Sequence, residues 1–270
     1  AVAARLACSG ARARVAASKE AAHALDQSAA SGTPPTQIEI LIIGAGLAGL
    51  LVASRFADAE ASVVVLEKSD KIGGTWRHHG NPYSRVNSSE PSYRLPVKRR
   101  QKNTNNTNHS HHSEILTDGL ALIQQYGLQT SIYLQSEVLR VQDDSGRWKA
   151  SGQHALTHDP FHVTSEVLVA CTNRRLGKPR SLTLAGEDRF HGTVRRGLAG
   201  DTESLRWADK RVVILGMGAF AIENMRTAFE QGATHVTILC RRRGTVCPQI
   251  VDWINFIRPF DDNFKHLPEG

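Results

Sequence analysis

Residues 38–49 have the sequence IEILIIGAGLAG, and this stretch decides the fold. An apolar run of strand length leads directly into glycines spaced as GxGxxG, and a helix-like run over 47–59 follows. The apolar run 62–66 then predicts a second buried strand, which ends at Glu67. A strand, a glycine turn, a helix and a strand within about thirty residues form the minimum dinucleotide-binding unit.

A second copy of this pattern begins at residue 211 with the sequence RVVILGMGAFA. Gly216 and Gly218 match the first two glycines, and Ala221 replaces the third, which is a tolerated variant. The pattern predicts a strand over 211–215, a helix over 219–231 and a strand over 235–240. Two such units in one chain predict two dinucleotides, one delivering electrons to the other. That arrangement is typical of a flavin enzyme reduced by a nicotinamide.

Each glycine of the first turn has a separate predicted role. Gly44 permits the tight turn, Gly46 lets the backbone approach a pyrophosphate, and Gly49 lets the helix pack closely on the strand. The helix N-terminus offers free N–H groups and a partial positive charge to the phosphates. The Glu67 carboxylate is placed to accept hydrogen bonds from both ribose hydroxyls, although acids at strand ends are often simply solvated.

The second unit predicts NADP rather than NAD. Its second strand is followed by arginines at 241–243 and not by an acid. A carboxylate there would repel a 2′-phosphate, whereas the guanidinium groups of Arg241 and Arg242 would bind it through charge-assisted hydrogen bonds. A solvated basic turn is the alternative interpretation.

Composition and charge exclude several other classes of protein. The chain has 270 residues and a formal net charge of +7. Nucleic acid or an anionic membrane could explain this excess, but phosphate-bearing cofactors and a basic tail explain it as well. The sequence has no stacked-aromatic or helix-turn-helix signature, so no nucleic-acid partner is expected. The four cysteines have no CxxC spacing, which argues against a disulfide framework, a zinc ribbon and a dithiol reductase, and favours a reducing compartment. No apolar run approaches about 18 residues, so no membrane span is expected. The histidine repeats lack acidic or cysteine partners, so no metal site is predicted.

The two units suggest a division of the chain into domains. Residues 1–37 are rich in Ala, Arg and Ser and are predicted to be a flexible tail. An organelle transit peptide is the alternative, so the cytoplasm is the expected location and organelle import remains open. We expect the first part of an FAD-binding domain over 38–200 and a partial NADP-binding domain over 201–270. Within the first, a helix is predicted over 114–126, a β-meander over 132–164 and a separate buried strand over 166–171.

Several further motifs follow in a fixed order. Gly73-Gly74-Thr75-Trp76 comes shortly after Glu67, and together they resemble the signature of flavin-containing monooxygenases and their Baeyer–Villiger relatives. The stretch YSRVNSS at 83–89 resembles the segment whose asparagine lines the flavin site in that family. LVACT at 168–172 is similar to the strand ending in ATG or CTG, and 190–192 resemble the approach to the fingerprint FxGxxxH. The similarity extends from about Ile38 to about Trp253.

The resemblance implies an α/β flavoprotein of the two-dinucleotide-binding-domain type. A Rossmann-like FAD domain with a β-meander would carry an inserted NADP Rossmann domain, and the C-terminal part of the family's fold is expected to be missing. The implied activity is reduction of FAD by NADPH and reaction with O2 to a C4a-hydroperoxyflavin. That species transfers one oxygen atom to a nucleophilic N or S of a small molecule, as in N,N-dimethylaniline monooxygenase. Baeyer–Villiger oxygenation of ketones and a catalytically incomplete FAD- and NADP-binding chain are the alternatives.

The resemblance also assigns further site residues. Gly74, Thr75 and Trp76 would contact FAD, and Asn87 would lie near its reactive face as the catalytic residue. An ordinary turn asparagine, or a glycosylation sequon on a secretory route, is the alternative for Asn87. Arg196 stands where the family fingerprint has its histidine. Because that fingerprint links the two domains, the coupling between reduction and oxygenation is expected to differ here.

Overall fold

The apolar run that precedes the first glycine turn forms a central strand of a six-stranded sheet in the computed structural model of the chain. The structure describes residues 2–87, 95, 97, 110–173, 182–198, 201–202 and 204–242, with side chains from residue 13 onward. The chain divides into two units. The first comprises 1–79, 95–100 and 113–180, and the second comprises 80–94, 101–112 and 181–270. The expected boundaries differ from this division, because 1–37 join the first unit, and 80–94, 101–112 and 181–200 join the second.

The sheet of the first unit has the strand order β3-β2-β1-β6-β5-β4. Its strands are β1 (Gln37–Ile43), β2 (Val63–Leu66), β3 (Ile132–Tyr133), β4 (Ser136–Asp144), β5 (Arg147–His154) and β6 (Pro160–Ala170). β1 pairs in parallel with β2 and β6, and β3 extends the parallel part beyond β2. β4, β5 and β6 pair antiparallel as a meander. A parallel Rossmann-like sheet with a meander was predicted, and this fold class is confirmed.

The two faces of β1 and β2 are buried against different layers. Successive strand residues point to opposite faces. Ile42 and Val65 therefore face α2 (Leu47–Asp58) and α4 (His112–Gln125), where they pack among residues such as Leu50 and Leu122. Leu41, Val64 and Leu66 form the opposite core with Ala150, Phe161 and Val163 of the meander. Burial on both faces explains why these strands are continuous apolar runs.

Strand β6 belongs to both parts of the sheet. The sequence predicts two strands here, separated at the polar Ser165, but the structure has one strand over Pro160–Ala170. Ser165 is fully buried and is paired with Trp148 of β5 on one side and with Ile38 of β1 on the other. The prediction of a break was wrong because backbone pairing on both sides outweighs the polarity of one hydroxyl.

The N-terminal segment contains a helix where a flexible tail was expected. α1 spans Val2–Asp26. Its alanine-rich composition has high helix propensity, and Ala21 and Leu25 are buried in the core beside α4. Leu25 is only 1% exposed. The expectation is therefore corrected: local composition resembles a tail, but long-range packing of α1 orders this segment.

The second unit is built around a smaller parallel pair of strands. β7 (Arg211–Leu215) pairs with β8 (His235–Leu239), and α5 (Ala219–Glu230) connects them. The predicted boundaries of these elements agree with the structure to within one residue. The segment 80–87 belongs to the same unit. Its backbone pairs with 110–112 through an Arg85–His111 bridge and the Val86 N–H to Ser110 carbonyl bond.

A helix that crosses a bilayer needs about 20 predominantly apolar residues. None of the helices in the described part of the chain is long and apolar enough to cross a membrane.

Candidate dinucleotide-binding sites

The first glycine turn joins β1 to α2 and leaves no room for side chains at two positions. Gly44 has φ +108°, and a Cβ there would lie 2.6 Å from the Cys171 carbonyl oxygen. A Cβ on Gly49 would lie 1.9 Å from the Gly44 carbonyl oxygen, because the helix packs directly on the turn. Both positions therefore require glycine, as the fingerprint predicts.

Gly46 leaves the start of α2 open toward the exterior of the turn. It is the N-cap residue of α2, and no side chain caps the helix. An added Cβ at Gly46 would meet only the Gly74 Cα among the described residues, at 3.7 Å. Uncapped N–H groups with an unobstructed approach are the features that bind a pyrophosphate. The geometry of this turn fits a dinucleotide such as FAD.

The second pair of glycines lies against the first turn. The Gly73 N–H donates to the Ala45 carbonyl at 2.9 Å. Gly74 has φ +54°, and a Cβ there would approach the Gly46 Cα to 2.9 Å. The structure therefore brings together Gly46 and Gly74, which are far apart in the sequence.

The Glu67 carboxylate, which follows β2, is hydrogen-bonded to the glycine turn. Its Oε2 accepts the Ala45 N–H at 2.9 Å and its Oε1 accepts the Ser69 N–H at 3.0 Å. The residue is 7% exposed. An ionised carboxylate has about four acceptor positions, so two remain for ribose hydroxyls. The sequence predicted the ribose contact but missed the bonds to Ala45 and Ser69, for which it carries no signal.

Thr75 and Trp76 lie on the single-turn helix α3 (Thr75–His78). Thr75 is exposed, whereas Trp76 is half-buried against the apolar core of the first unit. His78 follows on the same turn, and burial lowers its pKa while the nearby Glu67 carboxylate opposes that shift. His78 was not among the predicted site residues.

The second glycine turn is open in the same way. Gly216 has φ +113°, and no described atom lies within 4 Å of a Cβ placed on Gly216 or Gly218. Gly218 is the N-cap residue of α5 and no side chain caps the helix. Ala221 is half-buried in its first turn. Arg241 and Arg242 are exposed and follow the carboxyl end of β8. An uncapped helix start and two exposed arginines after the neighbouring strand fit a phosphorylated dinucleotide.

Asn87, the predicted catalytic residue, belongs to the second unit. Its side chain is exposed, and Nδ2 donates to the Ala219 carbonyl at 3.3 Å, at the start of α5. Its contact with a flavin stays a prediction. Arg196 also lies in the second unit, where its guanidinium donates to the Leu182 carbonyl and its Nη2 lies 3.7 Å from Glu187 Oε1.

A buried acid on α5 was missed by the sequence reasoning. Glu223 is 8% exposed and accepts a short hydrogen bond from the Ser84 hydroxyl. Burial raises the pKa of the Glu223 carboxyl, while the Ser84 hydrogen bond and the Arg226 charge oppose the shift. Arg85 forms an ion pair with Glu230, about two turns further along α5, at 2.8 Å. These bonds attach the segment that carries Asn87 to α5.

Glu223 should make the stability of the second unit depend on pH. Because its folded pKa is raised, the folded state binds the proton more tightly than the unfolded state. Protonated Glu223 therefore contributes to the stability of the folded state. This contribution is fully present below the ordinary pKa of about 4.5 and is lost as pH rises through the raised pKa. Glu223→Gln keeps a partner for Ser84 and removes this titration. We expect its Tm relative to the unmodified chain to rise as pH increases from about 4 to about 8.

Thermal denaturation across that pH range measures this difference. Asp188→Asn is the matched control, because Asp188 is an exposed acid of the same unit and should give a flat Tm difference. A Glu223→Gln difference that is equally flat would contradict the prediction.

Across the described residues, no group of three or more His, Cys, Asp or Glu is arranged to hold a metal ion.

Comparison with known proteins identifies the family. Residues 38–254 match the sequence model described as pyridine nucleotide-disulphide oxidoreductase. The chain belongs to this family. The match includes both glycine turns and both predicted dinucleotide units.

Individual relatives are flavin monooxygenases. The FAD-binding monooxygenase VdtE of Byssochlamys spectabilis is 24% identical over 232 residues, which are 85% of this chain and 40% of that protein. The predicted resemblance to flavin monooxygenases is confirmed. The predicted cofactors agree with the descriptions of these proteins, which name FAD and NADP as what those proteins bind. The chain spans less than half the length of such curated relatives.

Solved structures share the fold at low identity. S-allyl-L-cysteine S-oxygenase from Allium sativum has a TM-score of 0.57 and 21% identity, covering 79% of this chain and 54% of its own. Cyclohexanone monooxygenase from Rhodococcus sp. Phi1, bound to NADP+, has a TM-score of 0.58 and 24% identity, covering 80% of this chain and 40% of its own. Both matches confirm an α/β fold of the two-dinucleotide type.

Proposed function

We propose that this chain provides the FAD and NADPH sites of a monooxygenase that inserts one oxygen atom into a nucleophilic N or S centre. The observation that carries the proposal is the pair of open glycine turns, each at an uncapped helix start, within one flavin-monooxygenase fold. The balanced reaction is substrate + O2 + NADPH + H+ giving the oxygenated substrate, NADP+ and water. Bound flavin supplies the electron transfer and oxygen activation.

The first unit holds FAD in this proposal. Gly44, Gly46 and Gly49 give the pyrophosphate access to the N–H groups of α2, and Glu67 binds the adenosine ribose. Gly74, Thr75 and Trp76 contact the cofactor from the turn that lies on Gly46. Trp76 also excludes water from this edge because part of its ring is buried in the core.

The second unit holds NADPH. Gly216, Gly218 and Ala221 form its pyrophosphate turn, and Arg241 and Arg242 bind the 2′-phosphate. Both arginines are exposed, which leaves their guanidinium groups available to a phosphate. Asn87 is assigned to the reacting face because its amide can donate and accept hydrogen bonds. Its hydrogen bond to the Ala219 carbonyl places it beside the proposed pyrophosphate turn of NADPH.

Two alternatives have support of their own. The structural similarity to cyclohexanone monooxygenase supports the first alternative, Baeyer–Villiger oxygenation of a ketone. The similarity to S-allyl-L-cysteine S-oxygenase instead supports the sulfur oxygenation of the main proposal. Arg196 in place of the fingerprint histidine favours a chain that binds both dinucleotides without oxygenating a substrate. Dithiol chemistry is disfavoured because the four cysteines of this sequence contain no CxxC pair.

Spectroscopy followed by product analysis tests the proposal. The chain is loaded with FAD, reduced with NADPH or NADH without oxygen, and then exposed to air with thioanisole, N,N-dimethylaniline or cyclohexanone. We expect faster bleaching of the flavin by NADPH than by NADH, and formation of sulfoxide or N-oxide in air. Ester formation from cyclohexanone alone would establish the Baeyer–Villiger alternative. Hydrogen peroxide with no oxygenated product would overturn monooxygenase activity for this chain.

A further inference from the structure

A partly buried ion pair connects the N-terminal helix to the turn that carries Gly74. The Arg77 Nη1 and Nη2 atoms each donate to one oxygen of Asp26 at 2.8 Å. Nη1 also donates to the Ala22 carbonyl at 3.0 Å, near the C-terminus of α1. The Arg77 side chain is 9% exposed and that of Asp26 is 32% exposed. A two-pronged guanidinium–carboxylate pair at a helix C-terminus fixes direction as well as distance.

The Arg77 side chain also determines where the second glycine pair lies. A Cβ on Gly73 would be 2.6 Å from the Arg77 Cγ, so the arginine stem passes directly against the Gly73 backbone. α3 has a single turn and would be marginal without tertiary contacts. Gly73 in turn donates its N–H to Ala45, within the first glycine turn. Contacts therefore run continuously from Asp26 through Arg77 and Gly73 to the proposed pyrophosphate site.

We propose that Asp26 and Arg77 are positioning residues of the FAD site. The ion pair anchors α3 to α1, and so holds the Gly73-Gly74 turn against Gly46 before the cofactor binds. A surface formed in advance binds its ligand more tightly because less ordering is required on binding. The N-terminal helix thereby becomes part of the flavin-binding unit. This inference rests on the assignment of FAD to the first unit under the proposed function.

The packing of α1 allows the ion pair to be tested separately from folding. Ala21 and Leu25 are buried in the core, and the Ala30 N–H donates to the Ile132 carbonyl at 2.7 Å just beyond the helix. These contacts do not involve Asp26. Removal of its carboxylate should therefore leave α1 in place while releasing the guanidinium.

The experiment is a double-mutant cycle on FAD affinity, measured by quenching of flavin fluorescence with the full 270-residue chain. Asp26→Ala and Arg77→Met each remove the pair, and methionine keeps an apolar stem beside Gly73. We expect each single variant to raise the Kd for FAD about tenfold. The Kd of the double variant should be no higher than that of the single variant with the higher Kd. Arg77→Lys should give an intermediate Kd, because lysine keeps the charge but not the two-pronged geometry.

Asp58→Ala is the matched control, because Asp58 is an exposed aspartate at the end of α2 in the same unit. Its Kd for FAD should equal that of the unmodified chain. A purely structural role would lower the Tm of the apoprotein and leave the Kd of the folded protein unchanged, which would overturn the inference. Additive effects of the two substitutions on the Kd for FAD would also overturn the inference, because the two residues would then act independently. The proposed function has a separate test in the unmodified chain. If that chain binds FAD and is reduced by NADPH but forms no oxygenated product, the proposed function is overturned and this inference stands.

Discussion

Gly49→Ala should abolish the retention of FAD by this chain. The added Cβ would lie 1.9 Å from the Gly44 carbonyl oxygen and 3.1 Å from the Gly44 carbonyl carbon. Both atoms belong to the backbone, so no side-chain rotation relieves the overlap, and α2 must move away from the turn. That movement displaces the N–H groups that would bind the pyrophosphate. We expect no FAD to remain after gel filtration, and a fall in apoprotein Tm because overpacking of this kind costs about 1–3 kcal/mol or more.

Gly119→Ala is the matched control for this experiment. Gly119 lies within α4, and a Cβ there would meet the Leu47 Cδ2 at 3.4 Å, an ordinary contact. Alanine in a helix interior is favoured over glycine by about 1 kcal/mol, so FAD retention should be normal and the Tm unchanged or higher. Retention of FAD by Gly49→Ala at the level of Gly119→Ala would contradict the requirement for close packing of α2 on the turn.

Elements defined by local sequence were predicted closely. The strand over 211–215 agrees with β7 at both ends, and the helix after each glycine turn ends within one residue of its prediction. Glycine spacing, apolar runs and helix periodicity are all short-range signals. A unit in which each signal supports the same structure is predictable without knowledge of the remaining chain.

Features that depend on distant residues were not predictable in this way. The order of α1 depends on contacts of Leu25 with the core and of Asp26 with Arg77, and neither partner is visible in the composition of residues 1–37. The continuity of β6 across Ser165 depends on pairing with β5 and β1 together.

The candidate sites show the same division. Glycine spacing predicted Gly44, Gly46 and Gly49, whose geometry is local. The approach of Gly74 to Gly46 is a tertiary contact, and only the family resemblance indicated that Gly74 belongs to the site. Glu223 was missed because an acidic side chain on a helix is normally solvated, whereas here Glu223 is buried and bonded to Ser84 of a distant segment.

We expect Glu67 both to stabilise the glycine turn and to bind the ribose of FAD. Its two oxygens accept the N–H groups of Ala45 and Ser69. Glu67→Ala leaves the buried Ala45 N–H without its acceptor, which costs about 1–3 kcal/mol, and it also removes the ribose contact. We expect a lower apoprotein Tm and a Kd for FAD raised about a hundredfold, since each tenfold corresponds to about 1.4 kcal/mol.

Glu67→Gln separates the two roles of the carboxylate. A glutamine has one acceptor oxygen, so it can serve Ala45 or Ser69 but must direct its NH2 group toward the other N–H. Its Tm should therefore fall less than that of Glu67→Ala, while FAD affinity still falls because a charged acceptor for the ribose is lost. Glu39→Gln is the control, because Glu39 on β1 accepts the Ser62 N–H at 3.1 Å at an exposed position. If Glu67→Gln lowered the Tm but bound FAD as tightly as Glu39→Gln, the carboxylate would serve only the turn, because loss of its charge would then leave cofactor binding intact.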